Sequence, residues 1–193
     1  MKSVCVFCAS SKGSNPDFVS KSYELGKHLA ENDIRLIFGG SKVGLMGEVA
    51  RGVMENGGQV TGVIPQFLAR KEVAHDGIQE LITVETMHQR KTKMSELAEG
   101  FIALPGGFGT LEELCEILTW AQLQLIKAPV AVLNWHGYYD HLTLLLDRMM
   151  EDELLKKDNA DLLIVESEHQ ALIKRMNQYE PPKESFWAKL DLT

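Results

Sequence analysis

The chain has 193 residues, of which 45% are hydrophobic and 24% charged, a composition that suits one globular domain with a substantial core and leaves little room for two. Its formal charge of -7 argues against the concentrated basic face of a nucleic-acid binder, so an anionic ligand must be held by local groups. Three cysteines, no secretory-type leader and no apolar run of membrane-spanning length argue against a disulfide framework and a membrane protein, and the expectation is a soluble protein of the cytoplasm.

Apolar strand-like runs alternate with amphipathic helical stretches from end to end. This is the pattern of an α/β protein, a Rossmann-like open parallel sheet with helices on both faces, in a single domain predicted to span residues 1–180. Residues 4–8 read as the first strand. Cys5 and Cys8 form a C-x-x-C pair there, but residues three apart on a strand point to opposite faces, which disfavours redox or zinc chemistry. No further Cys or His pair completes a metal site. A hydroxyl-rich loop containing Ser10 leads to Pro16, suited to the first turn of a helix over 17–32 that buries Phe18, Tyr23, Leu25 and Leu29. A strand over 34–38 runs into a glycine-rich turn over 39–47, followed by a helix that ends at the Asn-Gly-Gly of 56–58. After a strand over 60–64, residues 65–76 form a charged connection with no predicted element, of the kind that often carries function. The pattern continues with a strand over 81–84, a helix over 87–99, a strand over 100–104 and a helix after Thr110. A strand over 130–133, a helix over 138–152, a strand over 162–165 and a helix over 168–177 complete it. The tail, 181–193, is predicted irregular, and its Phe186 and Trp187 need a surface to cover them.

The most informative stretch is 105–113, Pro-Gly-Gly-Phe-Gly-Thr-Leu-Glu-Glu, which joins a strand end to a helix start. In open parallel sheets, ligands bind at the carboxyl ends of the strands, where a helix N-terminus offers unpaired N–H groups to an anion. Gly106, Gly107 and Gly109 allow close approach of the backbone, and the Thr110 hydroxyl is placed to cap the helix or meet a phosphate oxygen. A plain strand-to-helix turn is the alternative. The second glycine turn, with Gly40, Gly44 and Gly47, lacks the G-x-G core of a dinucleotide site and the lysine of a P-loop, which disfavours nicotinamide and ATP enzymes. Two such turns favour a shared site for a nucleoside monophosphate or sugar phosphate. Arg90 opens a helix that leads to the same sheet edge and has the forked geometry for a phosphate or a leaving group, unless Arg90, Lys91 and Lys93 are a solvated cationic face. Glu112 and Glu113 differ by about 100° in direction, so only one can face the loop, while Glu113 and Glu116 share a side. Such a carboxylate suits N-glycosidic hydrolysis, where positive charge develops at the anomeric carbon and a water must be activated. It also suits a first-turn acid that complements the helix dipole.

These residues together resemble the LONELY GUY family of cytokinin-activating phosphoribohydrolases, whose members are often labelled lysine decarboxylase-like. The similarity rests on P-G-G-x-G-T-x-x-E at 105–113, M-H-x-R-K at 87–91, G-G-x-x-x-G-L-M-G at 39–47 and C-A-S-S at 8–11, with T-W-A-Q-L at 119–123. The resemblance implies a homodimer that hydrolyses cytokinin riboside 5'-monophosphates to the free base and ribose 5-phosphate, with no metal or organic cofactor. It implies Arg90 and Glu113 as the catalytic pair and Gly106, Gly107, Gly109 and Thr110 on the phosphate, with Phe108 and Leu111 also among the substrate-binding residues. Lys91, Glu112, Thr119 and Glu72 would complete the pocket, with Ser10, Gly40 and Gly44 contributed by the two N-terminal loops. Leu114, Leu118 and Leu125 are candidates for a subunit interface. Three other readings remain open: a pyridoxal phosphate decarboxylase, a non-catalytic nucleotide-binding module, and a hydrolase of AMP or purine nucleotides in general.

Overall fold

Strand β1 (Ser3–Phe7) is apolar along its whole length apart from its first residue, and its side chains alternate between two separate cores. Val4 and Val6 enter one, Cys5 and Phe7 the other, as a strand buried on both faces requires. This computed structural model describes residues 1–69 and 74–182. Within them β2 (Arg35–Phe38), β3 (Val60–Pro65), β4 (Glu80–Val84), β5 (Phe101–Ala103), β6 (Val130–Leu133) and β7 (Leu163–Glu166) join β1 in one sheet. Every pairing is parallel, and the order is β4-β3-β2-β1-β5-β6-β7.

Helices cover both faces. On one side lie α1 (Pro16–Glu31), α2 (Gly44–Glu55) and α8 (His169–Asn177), whose Leu25, Leu29, Val49, Val53, Leu172 and Met176 close the first core. On the other, α4 (Met87–Leu97), α5 (Phe108–Gln122) and α6 (Asp140–Glu151) close the second through Met94, Leu114, Ile117 and the half-buried Leu142 and Leu146. Cys5 and Cys8 fall in different cores, as their spacing predicts, and burial pushes both thiols up, away from the reactive thiolate. The helix expected at 17–32 is α1, with Pro16 in its first turn and the Asn15 side chain accepting from the Asp17 N–H.

The strand order places the site. From β1 the chain steps outward to β4, then crosses to the opposite side of β1 with β5 and steps outward again to β7. The loops leaving β1 and β5 therefore diverge to opposite faces and open a crevice between them, the position where such sheets take ligands.

Several expectations need correcting. Two short helices escaped the sequence, α3 (Gln66–Ala69) in the 65–76 connection and α7 (Lys157–Ala160), because four residues carry no helical period. Part of that connection is also tied down, by a bridge between Ser41 and Ala74 and by the His75 N–H donating to the Gly40 carbonyl at 2.9 Å. Helix α5 starts at Phe108 with Gly107 as its N-cap, so Thr110 lies inside the first turn and does not cap it. Leu114 is a core residue and cannot serve an interface, whereas Leu125 is exposed. Glu72, Phe186 and Trp187 lie outside the described residues.

Candidate active site

Three loops meet over the crevice and are laced by backbone hydrogen bonds. The Ala9 N–H, just past β1, donates to the Pro105 carbonyl at 3.3 Å, and the Leu45 N–H at the start of α2 donates to the Ala9 carbonyl at 3.0 Å. Gly44 sits where a Cβ would overlap the Ser10 backbone, and its φ of +66° is one that only glycine adopts readily. Between these loops is a cavity of about 420 Å³. Ser10 and Ser11 line one wall, Gly107, Phe108, Gly109 and Thr110 the other, and Cys8, Met46, Met87 and Met94 provide an apolar floor and side.

Arg90 is set by α4, whose N-cap Thr86 and Gln89 form a reciprocal capping box. The side chain is 7% exposed. Its Nε donates to the Val63 carbonyl, inside β3, at 3.0 Å and its Nη2 to the Gly39 carbonyl, just past the end of β2, at 2.8 Å. Two backbone acceptors thus fix the guanidinium plane, and its Nη1 edge lies near Met87 at the cavity wall. A Cβ on Gly39 would overlap Nη2, so the guanidinium needs glycine at that position. Lys91, 8% exposed, turns the other way: its Nζ bridges Glu112 at 2.6 Å and Glu116 at 3.0 Å. Burial works against the Lys91 charge, but the hydrogen bonds from the two carboxylates outweigh it and raise the pKa. Neither residue belongs to a solvated cationic face.

Glu113 enters the cavity from the second turn of α5, on the same side as Thr110. Burial raises its carboxyl to about 7, while the Arg90 guanidinium pulls it down and the Glu112 carboxylate adds to the rise. A carboxyl poised near neutrality beside a fixed cation is suited to moving a proton or steadying positive charge on a substrate. At the start of α5 the N–H groups of Gly107, Phe108, Gly109 and Thr110 find no acceptor among the described residues, which leaves them to an anion.

The family model described as "Possible lysine decarboxylase" matches residues 46–176. A cytokinin riboside 5'-monophosphate phosphoribohydrolase of Arabidopsis thaliana is 40% identical over 189 residues, 98% of this chain and 87% of that protein. The chain belongs to the LONELY GUY family. A probable phosphoribohydrolase of the same description from Oryza sativa subsp. japonica is 41% identical over 178 residues, 92% of this chain and 78% of its own. Among solved structures, the Moco carrier protein of Chlamydomonas reinhardtii superposes with a TM-score of 0.69, covering 91% of this chain and 95% of that one at 21% identity, a likeness of fold alone.

In this LONELY GUY chain the residues singled out from sequence separate into groups. Arg90, Glu112, Glu113, Ser10, Gly107, Phe108, Gly109 and Thr110 line the cavity. Gly106 lies directly behind the Thr110 side chain, and Gly40 and Gly44 shape the loops around the cavity without lining it. Leu111 packs against the second core, Lys91 acts on Glu112, and Thr119 is exposed farther along α5, its hydroxyl donating to the Cys115 carbonyl at 2.8 Å. The sequence assigned no site role to Gly39, Met46, Met87 or Met94, although the first three fall within its matched motifs. The paired glycines at 39–40 hinted at the first, but the methionines look like any core residues. Among the described residues no lysine lines the cavity, and Lys91 is held charged by two carboxylates, so the described residues do not offer the amine that pyridoxal chemistry requires. Among the described residues no three His, Cys, Asp or Glu side chains converge to hold a metal ion.

Proposed function

We propose that this chain hydrolyses the N-glycosidic bond of cytokinin riboside 5'-monophosphates to the free base and ribose 5-phosphate. The carrying observation is Glu113, its carboxyl raised to about 7, in one cavity with the fixed Arg90 guanidinium and the unpaired N–H groups at the start of α5. The phosphate sits on the Gly106-Gly107 turn and the first turn of α5, with the Thr110 hydroxyl alongside. This places the ribose near Glu113. As the bond between the anomeric carbon and the purine nitrogen breaks, its electron pair leaves with the base and positive charge builds on the ribose. The Glu113 carboxylate stabilises that charge and orients the water, whose oxygen forms the new bond to the anomeric carbon while its proton is released and the departing base takes up a proton. Arg90 holds substrate charge or assists departure of the base through its free edge. Met46, Met87 and Met94 supply an adaptable apolar wall for the base.

We further propose a homodimer, supported by the apolar side chains left exposed on and near α5 and α6, and a reducing, cytoplasmic setting, supported by the free thiols of Cys5, Cys8 and Cys115. The domain boundary at residue 180 is likewise proposed, since α8 ends at Asn177 and no later element follows among the described residues.

The deciding experiment measures release of base and ribose 5-phosphate from isopentenyladenosine monophosphate and AMP, with Glu113→Gln as the blank. Preference for the prenylated nucleotide supports the reading. Equal rates make the enzyme a general purine nucleotide hydrolase, and no release from either overturns hydrolysis.

A further inference from the structure

Two consecutive tyrosines, Tyr138 and Tyr139, follow β6 and reach the main chain of the glycine turn from outside the cavity. The Tyr138 hydroxyl donates to the Gly106 carbonyl, and the Tyr139 hydroxyl to the Leu104 carbonyl at 2.6 Å. The two bonds sit on either side of Pro105 and differ in what they control. The peptide unit after Leu104 has no N–H, because the next residue is Pro105, so Tyr139 satisfies a buried carbonyl and orients nothing else. The unit after Gly106 carries the Gly107 N–H. In a planar trans peptide the C=O and N–H point in opposite directions, and this one is trans. Holding the Gly106 oxygen toward Tyr138 therefore aims the Gly107 N–H away from Tyr138. Gly107 lines the cavity and Tyr138 does not.

A peptide between two glycines resists rotation weakly, since neither neighbour has a side chain to obstruct it. A Cβ at Gly107 would meet nothing within 4 Å, so packing does not fix that side of the turn. The tyrosine itself is well held. Phe18 of α1 meets the Tyr138 ring edge-on at 5.9 Å and the Tyr139 ring meets it at 5.2 Å, while the Asn134 side chain accepts the Tyr139 N–H at 2.6 Å.

We propose that Tyr138 is a positioning residue for phosphate recognition: its hydroxyl locks the Gly106–Gly107 peptide so that the Gly107 N–H faces the 5'-phosphate. This rests on the hydrolase reading for its kinetic consequence but not for its binding consequence. Without the lock the peptide samples the opposite orientation, and the phosphate meets a binding-competent turn only part of the time.

The test compares Tyr138→Phe with Tyr139→Phe in the full chain. Inorganic phosphate is titrated calorimetrically, kcat/KM is measured on isopentenyladenosine monophosphate and on isopentenyladenosine, and Tm is recorded. Tyr138→Phe should weaken phosphate binding roughly fivefold to tenfold and lower the nucleotide-to-nucleoside ratio of kcat/KM by a similar factor, with little change in Tm. Tyr139→Phe should lower Tm and leave both phosphate readouts unchanged. Wild-type phosphate affinity in Tyr138→Phe overturns the proposal, and so does an equal loss of affinity in both variants, which would mean general loosening. If neither substrate is cleaved by the wild type but Tyr138→Phe still weakens phosphate binding, the positioning role stands and the hydrolase reading falls.

Discussion

Glu113 determines the pH behaviour of the protein in two ways. Its folded pKa of about 7 lies above the ordinary carboxyl value of 4.5, so between those values the folded chain binds more protons than the unfolded one. Stability contributed by this group is present below pH 4.5 and is lost as pH rises through 7, by on the order of 1–3 kcal/mol. Glu113→Gln removes the ionisation and should raise Tm at pH 8 by several degrees relative to wild type, with a smaller gain at pH 5, measured by calorimetry across that range. The same substitution should lower kcat at least about a hundredfold. In the wild type, kcat/KM should rise with pH and level off above about 7, since the carboxylate is the working form. Lys91 tunes this limb from behind. It neutralises Glu112 and Glu116 and itself helps to hold the Glu113 pKa down. Lys91→Met leaves two carboxylates uncompensated beside Glu113, so the limb should move to higher pH. A limb that stayed in place would show that Glu112 is already screened by solvent.

At the level of elements, the loop after β2 and helix α4 are joined by a contact that spans 51 residues, Arg90 to Gly39. Gly39→Ala tests it. The added Cβ meets Arg90 Nη2 and the Met46 sulfur, so the guanidinium must shift. Overpacking should cost about 1–3 kcal/mol in denaturant unfolding, and loss of alignment should reduce kcat/KM more than tenfold. An active, stable Gly39→Ala would mean that Arg90 does not need this anchor. The contact also shows where the sequence stops being informative. The seven strands are legible because buried parallel strands are short apolar runs between amphipathic stretches, and the glycine turn with Arg90 and Glu113 is legible because those residue types have few other reasons to cluster. What fixes Arg90 is a pair of backbone carbonyls 27 and 51 residues away, which no local period encodes. The methionine wall is equally silent, because Met46 and Met94 obey the same helical spacing as the core they extend.

For the whole molecule the question is which surface the proposed second copy would cover. Helix α6 is amphipathic in sequence, Asp-His-Leu-Thr-Leu-Leu-Leu-Asp-Arg-Met-Met-Glu, yet none of its 12 residues is fully buried. Leu142 and Leu146 lean on the second core, while Leu144 and Leu145 are 59% and 49% exposed. Leu125, just past α5, and Leu154, just past α6, are exposed as well. Leu144 and Leu145 are adjacent and both exposed, and fully burying each one is worth about 1.5–3 kcal/mol. The proposed homodimer should therefore depend on Leu144 and Leu145. Replacing both with Glu removes the apolar gain and places like charges opposite each other across a two-fold contact, since the same patch serves both subunits. The dissociation constant should rise by at least about a hundredfold, and light scattering at micromolar concentration should report a monomer. Because neither side chain supports the core, Tm at high dilution should stay near that of the wild-type monomer. A double variant that remained dimeric would move the interface off α6, leaving Phe108, 93% exposed at the mouth of the cavity, as the next apolar side chain to test.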